Sequence, residues 1–239
     1  MSDAPAIVAC GEGAVSVDFG NVIDLAVNAK VRALDRALAE TPFVGLVETV
    51  PTYRSLLVVF DPVATDYPAL LDHLETLAEG VTDARTGARR WRVPVLYGGA
   101  SGEDLGDMAA FAGLSPAALI EAHAAPIYQV MMIGFMPGFS YLGGLDARLC
   151  RPRRDVPRPR IPAASISIGG AQTAIGSAAG PSGWHLIGRT PALPFLKGRD
   201  PVFLFEAGDE IVFAPISEAE WVPLAAAAAE GAPVVVEIA

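Results

Sequence analysis

From Trp91 onward the chain is cut into short apolar runs separated by glycine and proline, and this texture restricts its fold more than anything else in the sequence. WRVPVLYGG, IYQVMMIGF, ISIGG, TAIGS, WHLIGR, PVFLF and EIVFAPI each have the length of one strand. Short strands parted by turn residues favour a closed or nearly closed barrel, because closure leaves no edge of unpaired N–H and C=O groups. Two helices interrupt the series, over GEDLGDMAAFAGL and SPAALIEAHAA. Ser115 is placed to cap the second, with Pro116 at its first position. EAEWVPLAAAAAEG reads as a short helix broken around Pro223, and APVVVEIA as a last strand returning to the barrel or to a neighbouring sheet.

The first 86 residues have a different rhythm. Residues 5–9 and 14–19 form a hairpin around CGEG, and in residues 22–40 Ile23, Val27, Val31, Leu34 and Leu38 recur at helical spacing. VGLVETV and YRSLLVVFD supply two more strands, joined at Pro51, and YPALLDHLETLAEG a second helix after Asp66. The order ββαββα predicts a two-layer unit with both helices on one face of an antiparallel sheet. The fold class is therefore α+β: a small ββαββα N-terminal domain over residues 1–86, then a β-barrel domain over residues 87–239, with TDARTGARR as an irregular linker. No run approaches the 18 or so apolar residues of a membrane span, and the start of the chain has no secretory signal, so a cytoplasmic location is expected. Cys10 and Cys150 lack metal spacing and read as two buried free thiols; no metal site is expected.

A net charge of −10 argues against nucleic acid as a partner, since binding to a phosphate backbone needs a basic face. Against that background the arginines of RLCRPRRDVPRPRIP stand out: Arg148, Arg151, Arg153, Arg154, Arg158 and Arg160 crowd into thirteen positions. Four prolines stiffen the segment, and at three residues per polyproline turn Arg151, Arg154 and Arg160 share one edge. Such focusing suits a carboxylate or phosphate ligand, unless the arginines pair with aspartates and glutamates of this or another polypeptide. Just before the arm, GFMPGFSYLGG carries Phe135, Phe139 and Tyr141 on a loop whose turns use Pro137 and Gly138. After it, Gln172, Ser182, Trp184, Arg189 and Thr190 lie on a hairpin and a strand that can converge with the arm on a small polar ligand; Trp184 otherwise simply packs. His73 and His185 read as solvated or surface residues, and no Ser/His/Asp spacing suggests a triad.

YGG with GEDL, His123, GFMPGFSYLGG, the two PR pairs at 152–153 and 157–158, the IGGAQT hairpin and GWHLIGRTP follow one another in the order of the allophanate hydrolase subunit 1 family, and the chain resembles that family over essentially its whole length. The resemblance implies that the barrel is cyclophilin-like, which by itself does not imply proline isomerisation. It also implies one component of a heteromeric enzyme, the B subunit of an ATP-dependent 5-oxoprolinase. Such an enzyme opens the lactam 5-oxoproline to glutamate, its B subunit working with a cyclophilin-like C subunit plus an A subunit, and ATP and magnesium are cofactors of the assembled complex. Other family members inhibit a sensor histidine kinase or form part of a carboxyltransferase acting on a urea-like amide. No biotinyl-lysine motif is present, the only lysines being Lys30 and Lys197. The lactam chemistry calls for positioned cations and hydrogen-bond donors, which implies catalytic roles for Arg153, Arg158, Gln172 and His123. Phe135, Pro137, Gly138, Phe139, Tyr141, Ser182, Trp184, Arg189 and Thr190 are then the substrate contacts. The family's TGIYP and SPGGW read TAIGSAA and GPSGW here.

Overall fold

The computed structural model describes residues 5–81 and 88–238, and the chain splits into two compact units, Met1–Gly87 and Ala88–Ala239. In the first unit the elements run β1 (Ala6–Ala9), β2 (Ala14–Asp18), α1 (Leu25–Glu40), β3 (Leu46–Pro51), β4 (Ser55–Phe60) and α2 (Tyr67–Gly80). The four strands form an antiparallel sheet in the order β1-β2-β4-β3. Alternation along β2 and β4 turns Val15, Val17, Leu56, Val58 and Phe60 into one core with Val31, Leu34 and Leu38 of α1 and Leu70 and Leu74 of α2. Asp24 caps α1 by accepting from the N–H groups of Ala26 and Val27, so Ile23 lies before the helix and is exposed rather than on its apolar face.

The second unit contains β5 (Arg90–Tyr97), α3 (Leu105–Ala112), α4 (Pro116–Ala124), β6 (Tyr128–Ile133), β7 (Ser140–Gly143), β8 (Arg158–Ile161), β9 (Ser165–Gly169), β10 (Gln172–Ile175), β11 (Gly180–Ser182), β12 (His185–Arg189), β13 (Glu210–Pro215), α5 (Glu218–Ala229) and β14 (Val236–Ile238). Strands β12-β9-β10-β7-β6-β13-β5 form a ring that the β12–β5 pairing closes, and β14 adds to β5 outside it. One core fills the unit, with Val93, Val95, Val130, Leu142, Ile166, Ile168, Ile187, Ile211 and Phe213 buried. Residues 82–87 of the expected linker lie outside the described residues; Arg90 does not continue it but begins β5, and Arg89 just before it grips the Asp209 carboxylate with Nε and Nη2 at 3.0 and 2.7 Å.

Several expectations give way here. PVFLF forms no strand: Pro201 has no N–H to offer a ladder, the Arg199 guanidinium holds the Pro201 and Val202 carbonyls, and Phe203 makes one isolated bridge to Phe195. Conversely, the second half of GFMPGFSYLGG is strand β7, paired with β6 and β10 in the barrel wall. The arginine arm is not a free polyproline rod, since β8 pairs with β11 as a two-stranded ribbon. Helix α5 runs through Pro223 unbroken; the capping box of Ser217 and Glu220 fixes its start, and the proline, sixth in the helix, costs the one bond to the Ala219 carbonyl without ending it. Cys10 is exposed rather than buried. Among the described residues no helix is long and apolar enough to cross a membrane.

Candidate functional site

The loop before β7 is built from two successive turns. The Phe139 N–H donates to the Met136 carbonyl at 3.0 Å, closing a turn with Pro137 and Gly138 at its centre. Gly138 has φ 76°, the torsion that this kind of turn demands after a proline. One step earlier the Met136 N–H donates to the Gly134 carbonyl at 2.8 Å, so Phe135 occupies the middle of a three-residue turn. The loop thus delivers Phe135, Met136, Phe139 and then Tyr141 to one place. On β7, Ser140 and Leu142 point into the barrel and Tyr141 points out.

Three rings make the wall of a cavity of about 140 Å³. Phe139 and Tyr141 have centroids 4.6 Å apart, and Trp184 meets both edge-on at 6.4 and 5.9 Å. The indole can lie so close to the β9–β10 hairpin only because residue 169 is glycine; a Cβ there would stand 2.5 Å from Trp184 Cδ2. The opposite side comes from the β8–β11 ribbon, through Ile161, Gly180, Pro181 and Ser182, and Phe135 stands edge-on to Phe139 at 5.7 Å. The Trp184 N–H donates to Ser182 Oγ at 3.1 Å, which fixes the GPSGW turn. Arg153 completes the lining with its guanidinium 5.7 Å from the Trp184 ring centre. Burial raises the Tyr141 phenol above its ordinary value, the Arg153 charge opposing.

Four of the other five arginines have gone to internal partners, while Arg160 is exposed. Arg158 reaches Asp104 with two nitrogens, each at 2.8 Å, and Arg154 adds a third contact at 3.1 Å. The Leu186 N–H donates to the same carboxylate at 2.7 Å. Burial opposes ionisation of Asp104, but the Arg158 and Leu186 hydrogen bonds and the charges of Arg158 and Arg154 outweigh it and hold the carboxyl below its usual range. Arg148 pairs with Asp146 at 2.6 Å, and Arg151 lies over Phe111 while donating to the Asp107 carbonyl. Among the described residues Arg153 has no carboxylate within ion-pair distance.

Of the anticipated contacts, Phe135, Phe139, Tyr141, Arg153, Ser182 and Trp184 meet at this cavity. Arg158 does not, being spent on Asp104. Gln172 begins β10 opposite Gly169, away from the cavity. Arg189 stacks on Trp221 at 5.4 Å and donates to the Ala163 carbonyl. Thr190 is buried, with Oγ1 accepting from the Ala192 N–H. Pro137 and Gly138 shape the loop without lining the cavity. Met136, Ile161, Gly176, Ala178 and Pro181 also line it and escaped notice in the sequence, having no polar side-chain atom to flag them; nearness to Trp184 or Phe135 along the chain pointed to all but Ile161. His185 is also misplaced as a surface residue: it is buried, with Nε2 2.9 Å from the Pro152 carbonyl.

His123 belongs to the barrel core, not to the cavity. It is fully buried, stacked on Phe213 at 4.9 Å, with Nδ1 2.8 Å from the Tyr97 hydroxyl and Nε2 3.0 Å from Thr173 Oγ1. Thr173 donates its own proton to the Ser167 carbonyl, so it accepts from Nε2–H, and Nδ1 accepts from Tyr97. The ring is neutral, burial pushing its pKa down to about 3. A folded pKa below the unfolded value near 6.5 means the unfolded chain binds the extra proton first, so stability is full above pH 6.5 and declines toward pH 3. His123 is expected to contribute on the order of 4 kcal/mol of that acid loss, and urea unfolding at pH 4 and pH 7 should show a smaller difference in His123→Phe than in the wild type.

The sequence pattern of the carboxyltransferase domain, subdomains C and D, matches residues 5–205. The chain belongs to this family. It is 38% identical over 222 residues, 88% of this chain and 92% of the relative, to a Bacillus subtilis protein named as the B subunit of 5-oxoprolinase. The solved structure of TTHA0988 superposes with a TM-score of 0.76 at 33% identity; the match covers 85% of this chain and 40% of that one. The urea amidolyase of K. lactis, with a TM-score of 0.80 at 18% identity over 99% of this chain and 16% of its own, shares the fold. Family and fold expected from the motifs are thus borne out.

Proposed function

We propose that the chain is the B subunit of a 5-oxoprolinase and that the aromatic cavity receives the lactam. The observation that carries the reading is the 38% identity to a protein of that name over 92% of its length. The cavity is consistent with it. A volume of about 140 Å³ equals that of roughly five waters, enough for one small ring. The flat lactam lies against Tyr141 and Trp184, and its carboxylate meets the Arg153 guanidinium, a cation with no internal carboxylate to displace. Holding the ring in one orientation is what this chain adds to catalysis.

A nucleoside triphosphate does not suit this site, which offers one guanidinium and no P-loop sequence pattern. ATP, which makes an unreactive amide cleavable by supplying a phosphoryl group, is therefore assigned to another polypeptide of the complex, and the C and A subunits are the expected partners. Purified alone, the chain should open no 5-oxoproline; combined with homologues of those two partners it should form glutamate with ATP consumption. Absence of turnover with all three present overturns the reading.

A further inference from the structure

Phe135 is held where its side chain gains little and its backbone pays. The residue is 64% exposed, and its φ of 68° lies in the left-handed region that a Cβ disfavours. The 2.8 Å bond from Met136 N–H to the Gly134 carbonyl makes it the centre of the rare, strained form of three-residue turn. Nothing about burial explains a phenylalanine there, and the neighbouring turn at Pro137 and Gly138, with the 3.1 Å bond from Gly134 N–H to the Phe139 carbonyl, holds the geometry in place. Strain of this kind persists where the surroundings overdetermine it, and it collects at ligand clamps. Its result is visible: the ring stands at the cavity, edge-on to Phe139 with an interplanar angle of 86°.

We propose that Phe135 is the selectivity wall of the cavity, its strained turn keeping the ring poised so that a flat cyclic carboxylate is gripped between Phe135 and the Tyr141–Trp184 pair. An open-chain amide of similar charge has only its small planar amide group, trans and free to turn relative to the carboxylate, and gains little from that grip. The inference rests on the cavity being a ligand site, as the proposed function requires.

The test compares Phe135→Ala and Phe135→Gly in the isolated full chain. Both lose the ring, but only glycine relieves the backbone, so the glycine variant should melt about 3 °C above the alanine variant, the reverse of the usual order for an exposed position. By calorimetry, 5-oxoproline and pyrrole-2-carboxylate should bind both variants about tenfold more weakly than the wild type, while the weaker binding of open-chain N-acetylglycine stays the same. Phe135→Leu, which keeps bulk without a flat face, should share the loss. A glycine variant melting below the alanine variant, an unchanged preference for rings, or no ring binding by the wild-type chain overturns the proposal. The last result, beside normal turnover by the assembled complex, would leave the proposed function standing; ring binding without turnover would remove that function and keep the selectivity wall.

Discussion

Asp104→Asn should lower the unfolding free energy of the barrel unit by about 3 kcal/mol. The carboxylate is 5% exposed and serves three groups at once: the forked contact of Arg158, the single contact of Arg154 and the Leu186 N–H. Asparagine keeps the shape and can still accept from Leu186, but it leaves two guanidinium groups facing a neutral amide. Removing one member of such a buried cluster costs more than the cluster contributed, because the remaining charges stay desolvated. The side chains of Arg154 and Arg158 are 31% and 18% exposed, so water repays part of the loss and places the value at the low end of that range. Because the folded carboxyl titrates below its ordinary value, its contribution is present above the unfolded pKa near 4 and disappears as pH falls through the lower folded value. Denaturant unfolding at pH 7 and pH 3 should show wild type and variant far apart at the first and closer at the second. Arg148→Gln, which breaks an exposed pair of similar length, should unfold like the wild type. Arg154 and Arg158 lie on the arm that carries Arg153, so loss of Asp104 should also weaken ligand binding. An Asp104→Asn protein as stable as the wild type would show that the arm is held by something else.

Which arginine does what was the part of the site that the sequence could not show. The crowding of six guanidinium groups is plain in a line of text, and so is the need for acidic partners in a chain of net charge −10. But Asp104 is fifty positions from Arg154, and only the start of α3, stitched to β12 by the Asp104 N–H bond to the Leu186 carbonyl, brings it under the arm. Apolar periodicity was legible wherever one face is buried, which is why the ββαββα unit and most barrel strands follow from it. It failed where backbone chemistry overrode it: in PVFLF, where proline and Arg199 leave only a short bridge to residues 194–196, and in SYLG, where glycine and proline just upstream disguised a barrel strand as more loop. His123 misled for a different reason. A helix end favours a cation, yet complete burial outweighs the dipole and keeps the ring neutral. Trp184 satisfies both of its readings, packed on Gly169 and lining the cavity.

Arg153→Ala should reduce kcat/KM for 5-oxoproline in the assembled complex about a hundredfold, or about 2.7 kcal/mol, while leaving the melting temperature within a degree or so of the wild type. The contrast with its neighbours is the basis for the split. Arg154 and Arg158 are bound to a buried carboxylate, so their loss registers in stability. Arg153 lies over the face of Trp184 with no ion-pair partner among the described residues, a stacking worth little at an exposed position, so its removal leaves the fold intact. A carboxylate entering an aromatic cavity gives up hydration, and a single guanidinium must compensate; without it the charged ligand faces four rings and the hydroxyls of Tyr141 and Ser182. Arg153→Lys keeps the charge but loses the planar fork that both lies on an indole and meets two carboxylate oxygens, so it should recover a minor part of the activity. The loss should appear in KM as well as in kcat, since the same ion pair binds the ground state and orients the ring. Full activity in Arg153→Ala, or a fall in activity matched by a fall in melting temperature, would show that the lactam carboxylate is held elsewhere.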